Sequence, residues 1–105
     1  MSSGYALHPD AFADLEEIRE YMAQDNPEAA DRVIEEIFEA FRALVAFPQR
    51  GFKRPELTSR PLRFAVVRSY LVAYAPNESP LWIIAVTHGR RSPRTIASIL
   101  GGRVE

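Results

Sequence analysis

The sequence predicts an α+β fold: a two-layer β-α-α-β-β-β-α arrangement in which a helical hairpin packs on one face of an antiparallel sheet. Three observations predict it. Residues 9–47 repeat apolar side chains at three- and four-residue steps, the period of amphipathic helices. Residues 62–88 hold three short runs rich in β-branched and aromatic residues. The links between those runs are too short for anything but antiparallel hairpins.

Tyr5-Ala6-Leu7-His8 alternates apolar residues and reads as a first strand ended by Pro9. Asp10 is the expected N-cap of a first helix to about Gln24. In that helix Phe12, Leu15, Ile18 and Met22 form the inner stripe, while Asp14, Glu16, Glu17 and Glu20 take the other positions. Paired acids such as Glu16 and Glu20 read as a solvated face. Asn26-Pro27 restarts the chain, Asn as cap and Pro as first helical residue. The second helix is expected to about Phe47, with Ala30, Val33, Ile34, Ile37, Phe38, Phe41, Leu44 and Val45 in a near-heptad stripe. So short a link forces the two helices into an antiparallel hairpin.

Pro48-Gln49-Arg50-Gly51 breaks the helical pattern, and the stretch to Pro61 reads as loop or short edge strand. It carries Arg50, Lys53, Arg54 and Arg60, with Arg63 just beyond. Strands are expected over Leu62–Val67, Tyr70–Ala75 and Leu81–His88, the first two joined by a tight turn at Arg68-Ser69. After Gly89 comes Arg90-Arg91-Ser92-Pro93-Arg94, then a short helix Thr95–Leu100 closed by Gly101-Gly102.

With 105 residues the chain supports one domain, expected over residues 1–105. It has no Cys, which excludes disulfides and thiolate sites. The opening Met1-Ser2-Ser3-Gly4-Tyr5 has neither a basic nor an apolar leader segment, and no run is long enough to span a bilayer. A soluble, cytoplasmic protein is therefore expected. Two separated histidines without Cys argue against a structural metal, and phosphate-loop, dinucleotide and H-E-x-x-H motifs are absent, so no cofactor is expected. The net charge of −1 hides a division. Up to Phe47 there are eleven acidic residues against three basic, and from Pro48 onward ten basic against three acidic. A basic second half suits an anionic partner, either nucleic acid or an acidic segment.

Four stretches, taken in order, resemble the RelE/ParE toxin superfamily. "YALHPDAFADLEEI" is similar to its opening strand and first helix. "NPEAADRVIEEIFEAFRALVAFPQRG" is similar to its second helix, closing in a Pro-x-x-Gly turn at Pro48 to Gly51. "RPEL" followed by "LRFAVVRSYLVAYAP" resembles its paired strands ending in a Tyr, here Tyr74. "WIIAVTHGRRSP" resembles its last strand and His-Gly-Arg exit. The resemblance runs from Tyr5 to about Leu100 and rests on the order and spacing of these stretches. It implies a sandwich in which the first strand lies beside the last. It also implies the toxin component of a type II toxin–antitoxin system (plasmid stabilisation or addiction), neutralised by the C-terminal segment of a cognate antitoxin.

The superfamily divides into two activities. ParE-like members inhibit DNA gyrase by an interaction that is not catalysis. RelE-like members cut mRNA on the ribosome with clustered basic residues and, in some, a His or Tyr. The acidic hairpin and the His-Gly-Arg-Arg exit look more like ParE. The alternatives are a RelE-like mRNA endonuclease, or an inactive relative serving only to bind an antitoxin.

For RNA cleavage the resemblance points to Arg68, His88 and Arg91, with Arg to stabilise phosphorane charge and His to exchange a proton. Lys53, Arg54, Arg90 and Arg94 are the expected target- or nucleic-acid-binding cations. Each has an alternative reading. Strict alternation puts Trp82, Ile84, Val86 and His88 on one face, making His88 a core-edge residue. Arg68 also suits an ordinary hairpin turn, and His8 reads as structural. One departure bears on the enzyme reading: no Tyr follows Tyr74, so the C-terminal Tyr of many RelE-like enzymes has no counterpart.

Overall fold

The computed structural model describes residues 4–103. The ends of the expected domain, Met1 to Ser3 with Val104 and Glu105, lie outside them. The elements run β1 (Tyr5–Leu7), α1 (Pro9–Ala23), α2 (Pro27–Ala46), a 3-10 turn (Pro48–Arg50), β2 (Arg63–Val67), β3 (Tyr70–Ala75), β4 (Leu81–His88) and α3 (Pro93–Arg103). This is the predicted α+β order. The four-stranded sheet has the order β1-β4-β3-β2. The β2–β3 and β3–β4 pairs are antiparallel, while β1 lies beside β4 in parallel register, with Tyr5 opposite Leu81. The sheet as a whole is therefore mixed.

Helix starts follow side-chain acceptors. At α2 the Asn26 side-chain oxygen Oδ1 accepts Ala29 N–H at 3.1 Å, with Pro27 at the first helical position, as the sequence predicts. At α1 the cap is His8, not Asp10: its Nδ1 accepts Asp10 N–H at 3.0 Å, and Pro9 already belongs to the helix. A Pro in the first turn lacks only an N–H that has no helical partner. The inner stripe of α1 is likewise rotated. Ala11 and Leu15 are buried, whereas Phe12 faces outward.

The hairpin of α1 and α2 covers one face of the sheet. Ile37 and Phe41 meet Val72, Tyr74 and Ile83 there, and Tyr5 packs edge-on to Phe41 at 5.3 Å. The opposite face is covered too. Leu57 and Leu62 from the long loop and Ile96 and Leu100 from α3 close over Phe64, Leu71 and Ile84.

A β-bulge shifts the register between Ala73 and Tyr74 against β4. Ile84 consequently stays with Ala85 on the α3 side, and Val86 crosses to the hairpin side. Strict alternation from Trp82 to His88 does not hold, because the bulge inserts one residue into the count.

Two locks were invisible as locks in the sequence. The buried Tyr74 hydroxyl donates to Pro48 C=O at 2.7 Å and accepts Gly51 N–H at 2.9 Å. It thereby joins the strand-end Tyr to the Pro-x-x-Gly turn. A Cβ on Gly51 would stand 2.7 Å from Phe64 C=O, so only glycine fits. The second lock is Arg103. It forks onto Asp14 at 2.6 and 3.0 Å and also donates to Ile84 C=O, while Asp14 accepts Val86 N–H at 3.0 Å. The helix expected to stop at Gly101-Gly102 thus continues to Arg103, and Asp14 belongs to a half-buried ion pair, not to the solvated face.

Candidate functional site

At the tip of the β2–β3 hairpin the chain must reverse in two residues, Arg68 and Ser69, because Val67 pairs with Tyr70. A two-residue hairpin demands positive φ in its loop, and Arg68 supplies it at +54°. That conformation is uncommon for a bulky residue. The guanidinium reaches back to α2 and grips Glu36 at both oxygens, at 2.6 and 2.7 Å. This hydrogen bond lowers the Glu36 carboxyl below its ordinary range and raises Arg68 further.

The exit of β4 is folded against the same tip. Gly89 N–H donates to Ser69 C=O at 2.7 Å, and Arg91 N–H to His88 C=O at 3.1 Å. His88 Nδ1 accepts Arg90 N–H at 3.1 Å, the same local cap that His8 makes at α1. The His88 ring stands edge-on to Tyr70 at 5.4 Å. Ser92 caps α3, its hydroxyl accepting Thr95 N–H at 3.1 Å.

These elements enclose a basin of about 520 Å³ between the hairpin tip, the β4 exit and the start of α3. Its wall includes Arg54, Arg68, Tyr70, His88, Arg90 and Arg91. Five of the seven sequence-predicted site residues therefore come together. Lys53 and Arg94 do not: both are exposed, and neither lines the basin. Arg54 is paired with Glu56 and Arg68 with Glu36. Arg90 and Arg91 have no carboxylate partner among the described residues.

Sequence reasoning missed Tyr70 as a site residue. No Tyr follows Tyr74 in the chain, yet Tyr70 stands beside His88 in space. The signal was present in the tight Arg68-Ser69 turn, but using it required the β3–β4 register, which the bulge conceals.

With Nδ1 engaged as an acceptor, a neutral His88 ring carries its proton on Nε2 and offers a donor there, not a base. The basin thus presents cations and hydrogen-bond donors beside aromatic rings. It is suited to holding an anionic surface. Among the described residues no group of His, Cys, Asp or Glu is placed to hold a metal ion, and no helix is long and apolar enough to cross a membrane.

The element order and sheet topology are those of a RelE/ParE-like toxin domain. The comparisons narrow it. Residues 5–93 match the family model described as ParE toxin of type II toxin-antitoxin system, parDE. The chain is also 33% identical over 82 residues to Toxin RelE2 of Caulobacter vibrioides, an alignment that spans 77% of this chain and 89% of that protein. The chain belongs to the ParE toxin family.

Proposed function

We propose that this protein inhibits growth by binding, with DNA gyrase as its cytoplasmic target, and that a cognate antitoxin holds it inactive in a plasmid-stabilisation or addiction module. One observation carries the reading. Two of the three groups a nuclease would use are committed within the chain: His88 Nδ1 to Arg90 N–H and Arg68 to Glu36. The unpaired Arg90 and Arg91 remain as contacts for an anionic surface. Under this reading Lys53 and Arg94 add to the surrounding positive field without touching the basin.

Induced expression without the antitoxin tests it. Filamentation with DNA damage signalling, and loss of supercoiling by gyrase mixed with the purified protein, are the expected results. Rapid translation arrest with cut transcripts would overturn it. Normal growth with soluble, folded protein would leave antitoxin binding as the chain's only role.

The second reading is mRNA cleavage through Arg68, His88 and Arg91, and the placement of Tyr70 against His88 favours it. In that case Arg91→Ala and His88→Gln should each cost about 100-fold or more in cleavage rate. Under the binding reading His88→Gln is nearly silent.

A further inference from the structure

The outer edge of β4 is left open where β1 ends. Beside β1 it is paired: Leu81 N–H donates to Gly4 C=O and His8 N–H to Ile83 C=O, at 2.9 and 2.8 Å. β1 stops at Leu7, whereas β4 runs on to His88. In that remainder Thr87 lies opposite Leu71, and Gly89 N–H bonds Ser69 C=O. Thr87 therefore turns its backbone groups to β3, while Val86 and His88 turn theirs outward. Side chains finish the first part of this edge, Arg103 on Ile84 C=O and Asp14 on Val86 N–H. The next acceptor and donor, Val86 C=O and His88 N–H, meet no group among the described residues.

A cavity of about 580 Å³ lies along this stretch, with Glu17 and Tyr21 of α1, Ile99 of α3 and Arg91 in its wall. Glu17 and Arg91 form no ion pair among the described residues. Thr87 belongs to the same wall and is only 8% exposed. Its Oγ1 is the one buried side-chain polar atom among the described residues without a hydrogen-bond partner. Such an orphan costs stability unless something outside the chain completes it.

These groups are spaced for a single amino-acid residue. In a parallel pair, a residue beside Thr87 donates its N–H to Val86 C=O and accepts His88 N–H at its own C=O. Its nitrogen then lies at the Val86 end. Glu17 is at that end too, since its charge acts on Arg103, which is bound to Ile84 C=O. Its carbonyl carbon lies at the His88 end, where Arg91 follows the strand. Paired residues share a face, as Leu7 and Ile83 share the hairpin core, so the newcomer's side chain lies beside that of Thr87.

We infer that this cavity binds a free L-α-amino acid with a small hydroxyl side chain. Its ammonium meets Val86 C=O and Glu17, its carboxylate meets His88 N–H and Arg91, and its hydroxyl meets Thr87 Oγ1. A free amino acid suits the site better than a peptide segment, because the two ends of the cavity carry opposite charges and a peptide offers neutral amides there. Hydroxyl pairs across neighbouring strands are favourable. The inference needs only the fold and holds whichever target the toxin has.

Titration of the purified full-length chain with L-threonine, followed by amide NMR, tests it. The His88 amide should shift most, with Thr87 and Glu17 following. N-acetyl-L-threonine lacks the ammonium and L-threonine amide lacks the carboxylate, so each should bind about tenfold or more weakly. L-Valine keeps the shape without the hydroxyl and should bind several-fold more weakly. Glu17→Gln should cost L-threonine about tenfold in affinity. Thr87→Val removes an orphaned hydroxyl, so the free chain should melt no lower than wild type while it ceases to distinguish L-threonine from L-valine. No shift with L-threonine, equal binding of the two capped forms, or shifts confined to residues outside the cavity would each overturn the proposal. A Thr87→Val chain that melts lower would show that the hydroxyl already has its partner, and would overturn it as well.

Discussion

The two faces of the sheet carry apolar cores of opposite construction. Under the hairpin, two helices of 15 and 20 residues lay a continuous stripe on β3 and β4, so Ile37 and Phe41 are fully enclosed. Under α3, the cover is an irregular loop and a helix of 11 residues whose last turn contains Gly101 and Gly102. Each glycine is about 1 kcal/mol less favourable than alanine in a helix interior. That turn persists because Arg103 is held by Asp14 on α1 and by Ile84 C=O on β4. One face is stabilised by periodic packing, the other by a few anchors. The candidate site lies at the end of the sheet where the two faces meet, with Tyr70 on the hairpin side and Ile96 on the α3 side, and its backbone is positioned by local caps and ion pairs.

This contrast sets the order of expected effects. Phe41→Ala should cost about 3–5 kcal/mol, read from the shift of a urea midpoint at constant slope. Leu100→Ala, in the anchored face, should cost about 2–3 kcal/mol. Equal losses would erase the distinction. Arg103→Met leaves the Asp14 carboxylate without its cation. The pair is partly hydrated, at 14% and 18% side-chain exposure, so about 2 kcal/mol is expected, below the loss for a fully buried pair. Hydrogen exchange should locate the damage: amides of α3 accelerate while those of α2 do not. Uniform acceleration would mean the two faces open as one.

Tyr74→Phe strips a donor from Pro48 C=O and an acceptor from Gly51 N–H, for a loss of about 1–2 kcal/mol. Burial holds the Tyr74 hydroxyl above its ordinary value of 10.0, so the folded state keeps this proton longer than the unfolded chain does. Its contribution is complete below about pH 10 and declines as pH rises through the higher folded value. The stability gap between wild type and Tyr74→Phe should therefore narrow in alkali. A gap that widens would place the hydroxyl elsewhere. The smallest effect is expected from Arg68→Gly. Glycine adopts the positive φ without strain while the exposed pair with Glu36 is lost, and the melting temperature should barely move. Because Glu36 is held below 4.5 by Arg68, that pair contributes above this value and fades as pH falls. In acid the wild type alone loses that contribution, so Arg68→Gly should become the more stable of the two.

What the sequence determined by itself is whatever depends on neighbours in the chain. The α2 stripe, the Asn26-Pro27 start, the strand runs and the Arg68-Ser69 reversal follow from periodicity and from the backbone preferences of single residues. The gathering of basic residues near the β4 exit was also legible, since hairpins bring nearby segments together. Tertiary structure decided what depends on residues far apart. Asp14 looked like one more solvated acid until Arg103, 89 positions away, reached it. Tyr74 looked like a strand end until its hydroxyl met Pro48 and Gly51. The face taken by His88 depended on a bulge, and a bulge is a choice made between two strands. Charge and periodicity are written residue by residue. The partner of a buried polar group is settled only when packing removes water and leaves one acceptor within reach.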